Sequence, residues 1–280
     1  MSRPGRRFPL PLARLHGAPR PATRELLRPQ RPLQQAAQDA ARRHIPSGLG
    51  LDSAAVRARM VQRLRAEGID DERVLAAFAA VERHRFVDSA LAIQAYEDTS
   101  LPIGHGQTIS KPSVVARMLV LALGSEFARS HGHLGRVLEI GTGCGYQTAL
   151  LAQLARSVVS IERLQPLAER ARETLGAHPL PAAAAPPACV TAPRPLLLHA
   201  DGRLGHAARA PYDTIVCAAG GEQLPAPWIE QLATDGRLVA PTQGAGLRGQ
   251  RLAVVDRHRA GVRQQEFDAV HFVPLKSGVE

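Results

Sequence analysis

The stretch Val137-Leu-Glu-Ile-Gly-Thr-Gly-Cys-Gly145, followed by Val158-Val-Ser-Ile-Glu162, restricts this chain more than any other feature. Val137 to Ile140 reads as a short buried strand. Gly141, Gly143 and Gly145 then turn the chain at alternate positions, and Tyr146 to Leu154 restarts as a helix. Glycine tolerates positive φ and presents no Cβ, so a ligand can lie on the backbone itself. The helix start beyond the turn leaves N–H groups without intrahelical partners. An acid about twenty residues on, at the end of the next strand, is where a nucleoside-binding βαβ unit holds ribose hydroxyls, and Glu162 stands there.

The same rhythm continues toward the C-terminus. Helix Gln165–Leu175 is followed by strand Leu196–Ala200, ending in Asp201-Gly202, and by strand Thr214–Ala218. Helix Pro227–Leu232, strand Arg237–Ala240 and two last strands, Arg251–Asp256 and Ala269–Pro274, complete it. Apolar strands alternating with helices imply an α/β fold with a parallel sheet between helices. Ligands bind such sheets at the carboxyl ends of the strands. The glycine loop, Glu162 and Asp201 all fall on that rim.

Upstream, Asp52 or Ser53 can cap a helix from Ala54 to about Ala66, stopped by Gly68, and Asp70 can cap a second through Val81. Leu101-Pro-Ile-Gly-His-Gly-Gln-Thr-Ile-Ser-Lys-Pro112 carries too much Gly and Pro for regular structure, yet it is weakly charged and apolar. It reads as an ordered, packed loop of the kind that carries function. Pro112 fits the first turn of a helix running from Val114 to Leu123. Ser110 stands where a hydroxyl can cap that helix or face a site, and spacing does not separate the two.

Charge divides the chain. Ten arginines lie in residues 1–50 against Glu25 and Asp39, so most of the net charge of +10 belongs to this Arg/Pro-rich extension. With no apolar periodicity it reads as disordered. Its composition resembles an organelle transit peptide, but the prolines spoil an amphipathic helix, and nucleic-acid contact is a weaker alternative to a solvated tail. Residues 51–280 form the domain, interrupted at 177–195 by a Pro/Ala-rich insertion that reads as a surface loop. Three widely spaced cysteines, Cys144, Cys189 and Cys217, suggest neither disulfides nor a thiolate metal site, and no apolar run reaches membrane length; a cytoplasmic protein is expected.

The residue types on the rim select the ligand. The glycines alternate as GxGxG, whereas a pyrophosphate needs the longer GxGxxG. Glu139 precedes the loop, and Asp201-Gly202 recurs at the third strand end. Several carboxylates suit a cofactor with no phosphate and a positive sulfonium, S-adenosyl-L-methionine. Glu139 would face its aminoacyl end, Glu162 its ribose and Asp201 its adenine amino group. Each acid could instead cap a helix or sit on the surface. His131 and His133 lack a third ligand nearby, so no metal is expected. Cys144 reads as a small packing residue, Cys217 as core, and His105 and His271 as substrate contacts without independent support.

Taken together, Leu101 to Ser110, Val137 to Gln147, Ala200-Asp-Gly202, Ala210-Pro-Tyr-Asp213 and Val270-His-Phe-Val-Pro-Leu275 resemble the protein-L-isoaspartate O-methyltransferase family. The resemblance runs from about Ala54 to Val279, and its first loop is peculiar to that family among class I methyltransferases. It implies a Rossmann-like, doubly wound, seven-stranded sheet with antiparallel terminal strands and helices on both faces. It implies a repair enzyme that methylates the α-carboxylate of L-isoaspartyl residues in age-damaged proteins, giving an ester that collapses to a succinimide. Ser110 matches the active-site serine. Gln107, Thr108, Ile109 and Ser110 match the loop beside cofactor and substrate, and Glu139, Gly141, Thr142, Gly143, Cys144, Gly145, Glu162, Asp201 and Gly202 match cofactor contacts. The alternative is a class I methyltransferase for RNA or a small carboxylate. The basic extension, the insertion, Glu222 and Gly244 to Gln250 depart from the pattern.

Overall fold

The computed structural model describes residues 54–177, 194–243 and 249–280. Two helices, α1 (Ala54–Ala66) and α2 (Glu72–Ala80), precede an antiparallel hairpin, β1 (Leu101–Gly104) and β2 (Gln107–Ile109). Helices α3 (Pro112–Leu123) and α4 (Glu126–His131) then lead into β3 (Arg136–Ile140), α5 (Tyr146–Leu154), β4 (Ser157–Glu162) and α6 (Gln165–Ala177). The remainder is β5 (Leu196–His199), β6 (Tyr212–Cys217), α7 (Ala226–Gln231), β7 (Leu232–Gln243), β8 (Gln250–His258) and β9 (Gly261–Val270).

Seven strands form one sheet in the order β5-β4-β3-β6-β7-β8-β9. The first five run parallel, and β8 and β9 join antiparallel to their neighbours. The expected Rossmann-like sheet with antiparallel terminal strands is therefore present. Strand side chains alternate between faces. In β3, Val137 joins the core cluster under α1, α2, α3 and α5, and Leu138 and Ile140 join the cluster around Trp228. Glu139 consequently points to the same face as Val137, against α5. The chain reverses direction of winding on either side of β3, which opens a crevice at the carboxyl ends of β3, β4 and β6.

Four local expectations need correction. The 101–112 stretch is not irregular: Leu101 pairs with Ile109 and Pro102 with Thr108, and the turn is made by Gly104, His105 and Gly106, all at positive φ. The glycines that argued against regular structure supply the turn of a hairpin. The last strand is Gly261–Val270, not Ala269–Pro274. It is an edge strand with mostly exposed polar side chains, so apolar content does not reveal it, and the apolar residues after it leave the sheet for the crevice. The cap of α2 is Asp71, whose side chain accepts from Arg73 N, not Asp70. Finally, Ser110 does not cap α3: the N-cap is Lys111, with no side-chain cap bond, and Asp98 accepts from Ser113 N and Oγ instead, both at 2.8 Å. Expectations for residues 1–53, for 178–193 of the insertion and for 244–248 lie outside the described residues.

Candidate active site

A cleft of about 890 Å³ opens at the switch point of the sheet, between the glycine loop on one side and the β1–β2 hairpin on the other. Of the residues singled out in the sequence, Gln107, Thr108, Ile109, Ser110, Gly141, Thr142, Gly143, Cys144, Glu162 and Gly202 line it. Glu139, Gly145 and Asp201 do not.

The loop is shaped by its glycines, which take φ of 89°, 55° and 90°. Gly141 N donates to Ile161 O, and Gly145 N to Thr142 O, so the turn is tied to β4 and to itself. Gly143 N donates to Glu162 Oε2 at 2.8 Å, and Leu164 N donates to Glu162 Oε1 at 3.0 Å. Both oxygens of Glu162 are thereby fixed by backbone, and each keeps a lone pair for a hydroxyl in the cleft. Gly202 closes the floor: a Cβ there would lie 2.6 Å from Ile140 Cγ2.

Glu139 sits beneath the loop, completely buried. Its Oε2 accepts from Ser160 Oγ at 2.6 Å and from Thr148 Oγ1 at 2.5 Å, whereas Oε1 and the nearby Gln147 Nε2 have no partner. Burial outweighs these bonds and pushes its pKa up to about 7. Asp201 accepts from Arg203 N at 2.9 Å and from Gly278 N at 2.6 Å. It caps a short 3₁₀ turn and ties Gly278 N to the strand end.

The opposite wall comes from the hairpin. Ile109 and Ile103 are buried beneath it, Ser110 is half-buried, and the Ser110 hydroxyl has no protein partner among the described residues. Val273 to Lys276 form the third side. Beyond them Glu280 N donates to Arg163 O, and Glu280 pairs with Arg163 at 2.8 Å.

Residues 55–280 match the family described as Protein-L-isoaspartate(D-aspartate) O-methyltransferase (PCMT). A Methylibium petroleiphilum protein-L-isoaspartate O-methyltransferase is 57% identical, over 99% of this chain and 98% of its own length. The chain belongs to the protein-L-isoaspartate O-methyltransferase family. A Leptothrix cholodnii relative of the same name is 51% identical over 97% of this chain and 94% of its own length. Two solved members of similar fold, each 23% identical, superpose with TM-scores of 0.67 and 0.60 and cover 80% and 78% of this chain. The first is itself covered over 67% and the second over 97% of its length. The second, from Plasmodium falciparum, was solved in complex with S-adenosyl-L-homocysteine. As a family member the chain is a methyltransferase acting on protein L-isoaspartate, and a class I enzyme for RNA or a small carboxylate is not favoured. The Methylibium alignment also spans the basic extension, which precedes the family match.

The remaining sequence-selected residues are dispersed. His131 Nδ1 faces Ser130 Oγ and Phe127 O, and His133 Nδ1 accepts from Gly135 N, so each ring is engaged in its own loop. Cys144 and Cys217 are buried thiols, Cys217 pushed up to about 12, and neither is poised as a nucleophile. His105 occupies the hairpin turn, and His271 and Glu222 are exposed outside the cleft. Sequence reasoning missed the side chains that hold the hairpin wall. Arg83 Nη2 donates to Ser110 O at 2.8 Å, Arg170 Nη1 to Ile103 O at 3.2 Å, and Asp98 anchors Ser113. Each is distant in sequence from what it holds, and no local motif marks it.

Proposed function

We propose that the cleft binds S-adenosyl-L-methionine along the glycine loop and presents its methyl to an isoaspartyl carboxylate held at Ser110. The fit rests on the donor set. The glycine loop leaves backbone open to a nucleoside, Glu162 offers lone pairs at the rim, and Glu139 keeps a buried oxygen without a partner. Glu139 does not itself line the cleft, and its charge would act on a ligand ammonium from beneath the loop, through the cleft-lining Gln147 beside it. Gln107, Thr108 and Ile109 wall the cleft opposite, and Thr142, Cys144 and Gly202 pack beside the loop. Gly145 serves as the N-cap of α5, and Asp201 supports the adenine side by fixing the turn that carries Gly202.

When bound, the co-substrate supplies an electrophilic methyl on a sulfonium. One oxygen of the substrate carboxylate bonds to that carbon while the carbon–sulfur bond breaks, its electron pair staying on sulfur. No proton moves, because the carboxylate is ionised at neutral pH and the leaving group is a neutral thioether. The protein's work is therefore positioning in a site of reduced water content. Ser110 supports this as a hydrogen-bond donor that holds one carboxylate oxygen while the other attacks. The substrates are age-damaged proteins and peptides met transiently. Action in the cytoplasm is supported by the buried free thiols and by the absence, among the described residues, of a helix long and apolar enough to cross a membrane.

The observation that carries this reading is the unpartnered Ser110 hydroxyl on the wall facing the glycine loop. Ser110→Ala should lower kcat/KM for an isoaspartyl peptide about 10- to 100-fold, the worth of one hydrogen bond to a charged group. Affinity for S-adenosyl-L-homocysteine, measured by calorimetry, should stay within about twofold. Parallel loss of that affinity would place Ser110 on the cofactor side instead.

A further inference from the structure

Among the described residues Arg83 is the one buried cation, and the mechanism above does not use its placement. It is fully buried in the short 3₁₀ turn Arg83–Phe86. No carboxylate among the described residues forms an ion pair with it: Asp98 acts on it only at a distance and spends its hydrogen bonds on Ser113 N and Oγ. Its contacts are carbonyls and a ring. Nε donates to Ala95 O at 2.7 Å, Nη2 to Ser110 O at 2.8 Å and to Thr99 O at 3.4 Å, and the guanidinium stands 4.8 Å from the centre of the Tyr146 ring. Nη1 has no partner.

A charge taken out of water without a counter-ion is costly, and buried charges are ordinarily paired. Carbonyl dipoles and an aromatic face offset only part of that cost. If the task were only to tie carbonyls together, a neutral amide could do it without burying a charge. The position of the cation gives a reason for keeping it. It holds the carbonyl of Ser110, which lines the cleft, and does not itself line it. Glu162 lines the glycine-loop side of the cleft and Glu139 lies buried beneath that loop, whereas Arg83 and Arg170 both donate to carbonyls of the hairpin side. The group that must approach this wall is an anion.

We infer that Arg83 is the positioning residue that makes the hairpin wall select a carboxylate: its Nη2 fixes the Ser110 carbonyl, and its buried charge, held without an ion-pair partner, lowers the free energy of an anion held at the Ser110 hydroxyl. The inference rests on the reading of Ser110 given above. Arg83 touches neither substrate nor methyl and acts through Ser110 and through its field. In a low-dielectric surround such a field is screened far less than at an exposed surface.

The test compares Arg83→Gln and Arg83→Lys with the wild type. An isoaspartyl peptide and its α-carboxamide analogue are titrated against each protein saturated with S-adenosyl-L-homocysteine. The wild type should prefer the acid by at least about tenfold. Arg83→Gln, which keeps donors but not charge, should bring that ratio close to one and raise KM for the acid about 10- to 100-fold. Arg83→Lys should retain most of the preference, and affinity for S-adenosyl-L-homocysteine should stay within about threefold in both. An unchanged acid preference in Arg83→Gln, or equal weakening of peptide and S-adenosyl-L-homocysteine, would overturn the inference and leave Arg83 a brace. If thermal denaturation shows Arg83→Gln unfolded, the folded Arg83→Lys decides, since loss of preference with charge retained is equally fatal. Ser110→Ala separates the two claims. Full turnover in that variant removes the Ser110 reading, whereas lost turnover beside an unchanged ratio in Arg83→Gln removes only this one.

Discussion

The two walls of the cleft are built by different physics. The glycine-loop wall is made of consecutive backbone: β3, three glycines and the start of α5, tied to β4 by main-chain bonds and by Glu162. The hairpin wall is a two-stranded ribbon outside the main sheet, and an isolated hairpin is marginal by itself. It is held by side chains arriving from elsewhere, Arg83 on the Ser110 carbonyl and Arg170 of α6 on Ile103, while Asp98 fixes the start of α3 that follows it. One wall tolerates little change to its own residues. The other depends on residues that never touch ligand.

The sharpest way to break the comparison is on the backbone wall. Gly143 sits at φ 55° with its Cα facing the cleft, and a Cβ there would lie 3.3 Å from Ile103 Cδ1. Gly143→Val adds a β-branched side chain at a left-handed position and fills ligand space. S-adenosyl-L-homocysteine affinity should fall more than about 100-fold, the 1–2 kcal/mol of backbone strain compounded by the clash. The far-UV spectrum should be unchanged, since β3 and α5 are held by their own ladders. Retained affinity would mean that the loop does not carry the nucleoside.

This difference also explains what could be read from the chain. The order of β3, α5 and β4 and the rim position of Glu162 are local consequences of period and glycine placement, so they were legible; that Glu139 lies buried beneath the loop, outside the cleft lining, was not. The 101–112 hairpin was located but not recognised as a hairpin, because its pairing is made by a glycine-flanked turn at His105 rather than by an apolar alternation. Arg83 was invisible. An arginine in a basic run, Arg83-His-Arg85, reads as surface, and only the folded chain shows that one of the two arginines is buried and the other is not. Asp201 was placed on the correct strand end, yet which way its carboxylate turns depends on Gly278, 77 residues later.

Within the backbone wall, Glu139 is the carboxylate whose titration can be followed. The folded-state pKa of Glu139 is raised from 4.5 to about 7 by burial. A raised carboxyl pKa favours the protonated folded form, so its stabilising contribution is complete below about pH 4.5 and is lost as pH rises through about 7. The span corresponds to about 3 kcal/mol. The ligand-free wild type should therefore lose stability between pH 5 and pH 8 in urea unfolding, and Glu139→Gln should remove most of that slope. Ligand affinity should run oppositely in the wild type, rising with pH as the carboxylate charge forms beneath a ligand ammonium. Matching slopes in the two proteins would show that Glu139 does not titrate in this range.

The smallest effect is expected at Asp201, and it bears on the adenine side. If Asp201 contacted the ligand directly, Asp201→Ala would weaken S-adenosyl-L-homocysteine by the worth of a charged hydrogen bond, about 1.5–3 kcal/mol. The geometry points to a smaller, structural loss. The side chain caps the 3₁₀ turn through Arg203 N and restrains Gly278 N, and removing such a cap costs about 1 kcal/mol of stability. Asp201→Ala should thus lower the unfolding midpoint measurably while leaving ligand affinity within about threefold. Asp201→Asn, which keeps an acceptor for Arg203 N, should recover most of the midpoint. Because Gly202 follows directly and packs on Ile140, any affinity change that does occur should be matched by the loosening of that turn, seen as faster amide exchange at Gly202 and Arg203. An affinity loss without faster exchange would return Asp201 to the ligand, and the adenine side would then be built, like the hairpin wall, by side chains.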